Sequence, residues 1–256
     1  FQGMLATNES KYPWMDEGFT TYAQAMTLDH LYERKANNPL ANSYMGYAML
    51  ARTLDQEPLT THADHYKKNR TYGISVYSKG AIFLHQLSYI VGKEAFKRGM
   101  LDYYKTWRFK HPTPDDFKRI MEKTSGLELD WYMEQFIGTV NTVDYAIDSV
   151  QKNGKTTKIV LRKLGDMPMP LDVKITRIDG SIEWHYIPIR IMRGEKGPDI
   201  AKFNKVQKDW GWAYPKYELN VDIPFNKIEK IEIDPTRRMA DIYPANNVYP
   251  AREKKQ

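Results

Sequence analysis

The chain of 256 residues has no cysteine, which excludes disulfides and thiolate metal sites and confines any transition-metal site to His, Asp or Glu. The same absence suits a cytosolic and an exported protein equally, so the compartment stays open. No apolar run reaches the roughly 18 residues that a membrane-spanning helix needs. The charged start and apolar stretch of a secretory leader are missing at Phe1. Lys and Arg number 38 against 32 Asp and Glu, a net charge of +6, but they never form a block of five. That spread describes a lysine-rich solvated surface and argues against nucleic acid as a partner. A P-loop and a GxGxxG are both absent, as are internal repeats and low-complexity segments. The terminal run Arg252-Glu253-Lys254-Lys255-Gln256 reads as a frayed tail.

What is present is 41% hydrophobic and 27% charged, enough for one large core or two modest ones. The patterning changes near residue 140. Before it, Met15, Phe19, Tyr22 and Met26 recur at helical spacing, and further helices are expected over 44–54, 77–91, 94–107 and 129–137. Pro39 and Pro58 bound the second of these helices. Thr113-Pro114-Asp115-Asp116 is a helix start, with Thr at the N-cap, Pro at the first position and acids in the first turn. Gly126 can take the left-handed cap that ends that helix. After residue 140 the pattern alternates. Asn153-Gly154 and Asp179-Gly180 are hairpin signals between alternating runs, and 217–221 and 228–233 add two strand candidates. The expected class is α+β, with a helical unit over 1–140 and a small antiparallel β-sandwich over 141–256.

Among residues able to carry chemistry, Glu17 lies in Trp14-Met15-Asp16-Glu17-Gly18-Phe19-Thr20-Thr21-Tyr22. Taken alone it is a first-turn acid that complements a helix dipole. Tyr77, in Gly73-Ile74-Ser75-Val76-Tyr77-Ser78-Lys79-Gly80, is by itself a tyrosine packed at a helix start. His62 and His65 are three apart, beside Pro58 and Thr60, and read as surface histidines on a loop. His30, His85, His111 and His185 are isolated and receive no role. Trp210, Trp212 and Tyr214 alternate, so on a strand they would share one face, either covering a core edge or forming an aromatic platform.

The Trp-x-x-Glu-Gly-Phe-x-x-Tyr run resembles the second half of the zinc site in the aminopeptidase N family of metallopeptidases, the gluzincins, whose pattern is HExxH, eighteen residues, then Glu. Tyr77-Ser78-Lys79-Gly80 is similar to the family's Tyr-x-Lys-Gly stretch. The stretches 107–117 and 125–131 resemble the helical tail of the same catalytic domain, and Ile231-Glu232-Ile233-Asp234-Pro235 the end of the β domain that comes after it. The family's HExxH does not occur in the chain. Counting eighteen residues back from Glu17 places the second His three residues before Phe1, and Phe1-Gln2-Gly3-Met4-Leu5 resembles the family's stretch just after that His. The resemblance therefore implies the C-terminal part of a thermolysin-like catalytic domain, cut through its active site.

It further implies a zinc aminopeptidase acting on the N-terminal residue of a peptide. Glu17 would be the third zinc ligand, and the Tyr77 hydroxyl would stabilise the oxyanion. Zinc would belong to the full-length parent and not to this chain alone, which is expected to be inactive. Upstream domains of the same protein are expected as partners. The alternative is a non-catalytic peptidase-like scaffold whose β domain, through Trp210, Trp212 and Tyr214, binds glycan or protein.

Overall fold

The computed structural model describes residues 3–197, 199, 203 and 205–251. Phe1, Gln2 and the tail from Arg252 lie outside the described residues. A π-helical turn, Trp14–Gly18, runs directly into α1 (Phe19–Leu31). Next comes α2 (Ala41–Ala51), three residues nearer the N-terminus than expected. Its start is set by Asn38, whose side chain accepts from the Leu40 amide at 2.9 Å. At its end both the amide and the hydroxyl of Thr53 turn back onto the Leu50 carbonyl.

A continuous helical run comes next, made of α3 (Asn69–Gly73), a second π-helical turn (Ile74–Lys79) and α4 (Gly80–Val91). Every residue of α4 is buried, so this helix has no solvent face and forms the axis of the helical region. Around it lie α5 (Lys93–Trp107), α6 (Pro114–Ser125) and α7 (Asp130–Tyr132), the last prolonged by a third π-helical turn, Met133–Ile137. The expected cap of α6 forms: the Thr113 amide and hydroxyl both donate to Asp116 Oδ2, at 2.9 and 2.7 Å. At the other end Gly126 adopts φ +74° and donates to the Glu122 carbonyl. Within the described residues no helix is long and apolar enough to cross a membrane.

The strands make two sheets. One holds β1 (Tyr145–Asn153), β2 (Thr156–Lys163) and β6 (Lys216–Val221) in the order β1-β2-β6, all antiparallel. The other is built from β3 (Leu171–Arg177), β4 (Ile182–Ile187), β5 (Lys205–Val206), β7 (Ile228–Ile233) and β8 (Val248–Tyr249), in the order β5-β4-β3-β7-β8. Its edge pair β4–β5 is parallel, the one departure from the expected antiparallel pattern among the described strands. Asn153 pairs with Thr156, so the first hairpin loop is Gly154-Lys155, with Gly154 at φ +61°. Ile159, Leu161, Leu219 and Val221 of one sheet and Val173, Ile175, Ile231 and Ile233 of the other enter a common core, the arrangement of a small β-sandwich.

That core is continuous with the helical one. Where they join, α4 meets strand β3 and the loop after β7 through polar contacts. The Tyr89 hydroxyl donates to the Pro170 carbonyl at 3.1 Å and accepts from the Asp172 amide at 2.8 Å. The Ala240 amide donates to Gln86 Oε1 at 2.6 Å. Lys196 Nζ donates to the Tyr89 carbonyl and to Asp172, at 2.9 and 2.8 Å, and Arg238 donates to the Ser88 carbonyl and pairs with Asp199.

The aromatic trio of the β region does not share a face. Residues 210–214 form a turn and not a strand. Trp210 is buried, in edge contact with Tyr145 at 5.5 Å, and its indole donates to the Tyr214 carbonyl at 2.9 Å. Trp212 and Tyr214 stand exposed. Pro215 and the close packing of Tyr214 over Gly211 turn the chain here, so the alternation carries no strand periodicity.

Candidate active site

The first two π-helical turns, Trp14–Gly18 and Ile74–Lys79, lie against each other and present the two candidate residues. In the first, Trp14, Met15, Asp16 and Gly18 are buried while Glu17 is half-buried. Trp14 anchors this turn from within, meeting Phe19 and Phe83 edge-on at 5.9 and 5.0 Å. In the second turn Ser75, Val76 and Lys79 are buried and Tyr77 is 39% exposed. The backbones touch at a pair of glycines. A Cβ on Gly18 would lie 2.6 Å from Gly80 Cα, and one on Gly80 would lie 2.9 Å from Gly18 Cα.

Across this contact the Tyr77 hydroxyl donates to Glu17 Oε1 at 2.8 Å. The bond to Glu17 is the main reason that the Tyr77 phenol is raised to about 12, with burial adding to it. The hydroxyl is thus held as a donor. Tyr72 stands beside it, ring centres 6.5 Å apart, and its phenol is raised by burial and then by Glu17, Asp16 and Glu9. Glu17, Asp16 and Glu9 thus lie close enough to Tyr72 to disfavour its ionised form.

Behind the second turn, Lys79 is fully buried. Its ammonium donates to the Thr139 carbonyl at 3.3 Å and lies over the rings of Phe136 and Tyr47 at 5.1 and 5.8 Å. Burial lowers its pKa to about 7. This setting was invisible in the residue pattern, where Lys79 reads only as part of a helix start. The signal that could have pointed to the crossing is the glycine immediately after Glu17 and the glycine three residues after Tyr77.

A catalytic zinc centre takes three protein ligands. Glu17 offers a carboxylate of suitable chemistry, yet no triplet of metal-ligating side chains forms around it among the described residues. The triplet that does approach is Glu122, Glu128 and Asp130, and two of its acids are already engaged. Glu122 accepts from the Leu129 amide at 2.9 Å, and Asp130 pairs with Lys118. Among the described residues, then, no set of side chains completes a three-ligand zinc centre with Glu17. His62 and His65 sit on a short 3-10 turn with ring centres 5.1 Å apart, and His62 Nδ1 accepts from the Asp64 amide at 3.3 Å. His85, given no role from the pattern, is buried on α4 with Nδ1 3.0 Å from the Tyr44 hydroxyl. Burial foremost, then Arg238 and Lys93, lowers its pKa to about 3, so it is a neutral structural imidazole.

Residues 3–136 match the model of the peptidase family M1 domain, and the chain belongs to that family. It is 26% identical over 227 residues to a probable aminopeptidase 2 of Sulfurisphaera tokodaii, covering 83% of this chain and 28% of that protein. It is equally 26% identical over 227 residues to a glutamyl aminopeptidase of Bitis rhinoceros, covering 86% and 22%. The crystal structure of Legionella pneumophila aminopeptidase A in complex with aspartic acid shares the fold, with a TM-score of 0.53 at 12% identity over 92% of this chain and 24% of that one. The chain thus spans about a quarter of the length of these relatives.

Proposed function

We propose that this chain is part of a zinc-dependent aminopeptidase that removes N-terminal residues from peptides. The observation that carries the reading is the 2.8 Å hydrogen bond from the Tyr77 hydroxyl to Glu17, joining the two residues that the family resemblance assigns to one site. Glu17 is the chain's ligand for zinc, and two histidines from a segment outside this sequence complete the set. Zinc, when bound, supplies Lewis-acid polarisation of the scissile carbonyl. Tyr77 acts on the same carbonyl oxygen. Its one phenolic proton, donated to Glu17 in this structure, would turn to charge that develops only in the transition state once Glu17 is engaged by the metal. Without the missing segment the chain is catalytically silent. We read it as two units, residues 1–140 carrying the site and residues 141–256 bracing it.

The test uses the intact protein. Hydrolysis of aminoacyl reporter substrates is expected, with loss on chelation and recovery with zinc; hydrolysis that no chelator touches, or none at all, sinks the reading. Glu17→Gln should lower zinc content and activity together. Tyr77→Phe should leave zinc content intact while kcat falls ~10²–10³-fold, the usual loss for one oxyanion donor. An unchanged kcat removes Tyr77 from the reaction.

A further inference from the structure

The geometry points to Gly18 and Gly80 as positioning residues: their backbone-to-backbone contact sets the distance between the turn that carries Glu17 and the turn that carries Tyr77. This inference rests on the aminopeptidase reading for its kinetic consequence, though not for the contact itself. A Cβ on Gly18 would lie 2.6 and 2.7 Å from Gly80 Cα and C, and 3.0 Å from the Val76 carbonyl oxygen. A Cβ on Gly80 would lie 2.9 Å from Gly18 Cα and 3.1 Å from the Trp14 carbonyl oxygen. All but one of these approaches are at or under 3.0 Å, and all are to backbone, which cannot swing aside as a side-chain tip can. Neither glycine is needed for its torsion angles, since both have ordinary helical values, Gly18 at φ −66° and Gly80 at φ −62°. Alanine would be the better residue at each position if helix propensity alone decided. What glycine supplies is closeness.

The position of the contact makes it specific to the pair. Gly18 comes directly after Glu17, and Gly80 lies three residues after Tyr77, on the same helical run. Both turns are π-helical, with the wider winding that is rare in helices and recurs at functional sites. Trp14 Nε1 and Ser75 Oγ, one on each turn, are buried with no hydrogen-bond partner among the described residues. Widening the crossing would draw the Tyr77 hydroxyl away from Glu17, and a misplacement of ~1 Å at a reacting group costs up to ~10²-fold in rate.

The closing experiment uses the intact protein with Gly80→Ala, alone and combined with Tyr77→Phe, and Gly73→Ala as control because a Cβ there meets nothing within 4 Å. Gly80→Ala is expected to lower kcat ~10–10²-fold with KM within about twofold and zinc content unchanged. In the Tyr77→Phe background it should lower kcat no further, because the group that it misplaces is gone. An equal loss in both backgrounds would mean a general structural role and overturns the inference, as would a kcat within about twofold of the parent. Hydrogen exchange of the unsubstituted protein provides a readout apart from activity and serves if Gly80→Ala does not fold. Residues 14–18 and 74–80 should open as one unit with matching protection, and unequal protection overturns the inference. If the unsubstituted protein hydrolyses nothing, the aminopeptidase reading fails, while the exchange data still decide whether the glycines hold the two turns together.

Discussion

Around Glu17 and Tyr77 one side-chain bond of 2.8 Å joins residues sixty apart, at a partly exposed contact beside the buried Trp14 and Ser75. Along the far end of α4 the situation is reversed. There Tyr89, Gln86 and Ser88 meet Asp172, Lys196, Arg238 and Ala240 through a web of bonds buried from solvent. Both regions bring distant segments together, and both contain ionisable groups. They differ in what is left over. The α4 web pairs its charges with one another, Asp172 with Lys196 and Arg238 with Asp199, although Asp172 Oδ1 is left buried without a partner among the described residues. Burial pushes the Asp172 carboxyl up and the Lys196 ammonium down, and their mutual contact opposes both shifts. Asp234 accepts from the Met239 amide at 2.7 Å and the Thr236 hydroxyl at 2.8 Å, while burial raises its pKa to about 6. The Glu17–Tyr77 pair keeps a surface and a donor fixed in its protonated state. A polar cluster sealed from solvent holds a fold; one that reaches the surface can meet a ligand.

The largest effect that sharpens this contrast should come from Lys196→Ala. It leaves Asp172 buried without its cation, and loss of one partner of a buried pair costs ~3–5 kcal/mol. Urea unfolding should register the loss, and a change under ~1 kcal/mol would show that the web does not carry the junction. Lys79→Met comes next and works in the opposite direction. The folded-state pKa of Lys79 is about 7 against 10.5 for the ordinary lysine, so between those values the unfolded chain holds a proton that the folded chain does not. Stability of the parent therefore rises with pH across that window, by up to ~1.4 kcal/mol per pH unit, and the penalty is fully present below pH ~7. Lys79→Met should accordingly be the more stable protein at pH 7, with an advantage that shrinks toward pH 10. A difference that stays flat with pH would show that Lys79 does not titrate as its burial implies.

The smallest effect expected is that of Tyr77→Phe on unfolding. A hydrogen bond at a partly exposed tyrosine contributes only ~0.5–1.5 kcal/mol, so the unfolding midpoint should move little even where kcat falls steeply. A loss of several kcal/mol on unfolding would place Tyr77 with the structural web and erase the distinction between the two regions.

Much of the architecture was legible along the chain. Thr113-Pro114 with Asp116, and Gly126 beyond, set the ends of α6 because caps are local chemistry. The alternation after residue 140 marked β3, β4, β6 and β7 because inward and outward side chains repeat every two residues. The same rule misled at Trp210, Trp212 and Tyr214, where alternation is accidental and a turn buries the first ring alone. The Glu17 and Tyr77 motifs were visible as strings, but nothing local states that they meet.

Composition and period thus determined the class, the order of elements and most of their limits, since each of these comes from backbone propensity and the spacing of apolar side chains. Tertiary structure alone decided three things. It turned Lys79 into a buried amine whose charge burial disfavours, because its environment comes from Tyr47 and Phe136, far from it in sequence. It made α4 the axis at which helices and sheets join. It also set Tyr77 against Glu17 through two glycines whose importance lies in what an added Cβ would strike, a property that exists only once the two turns have come together.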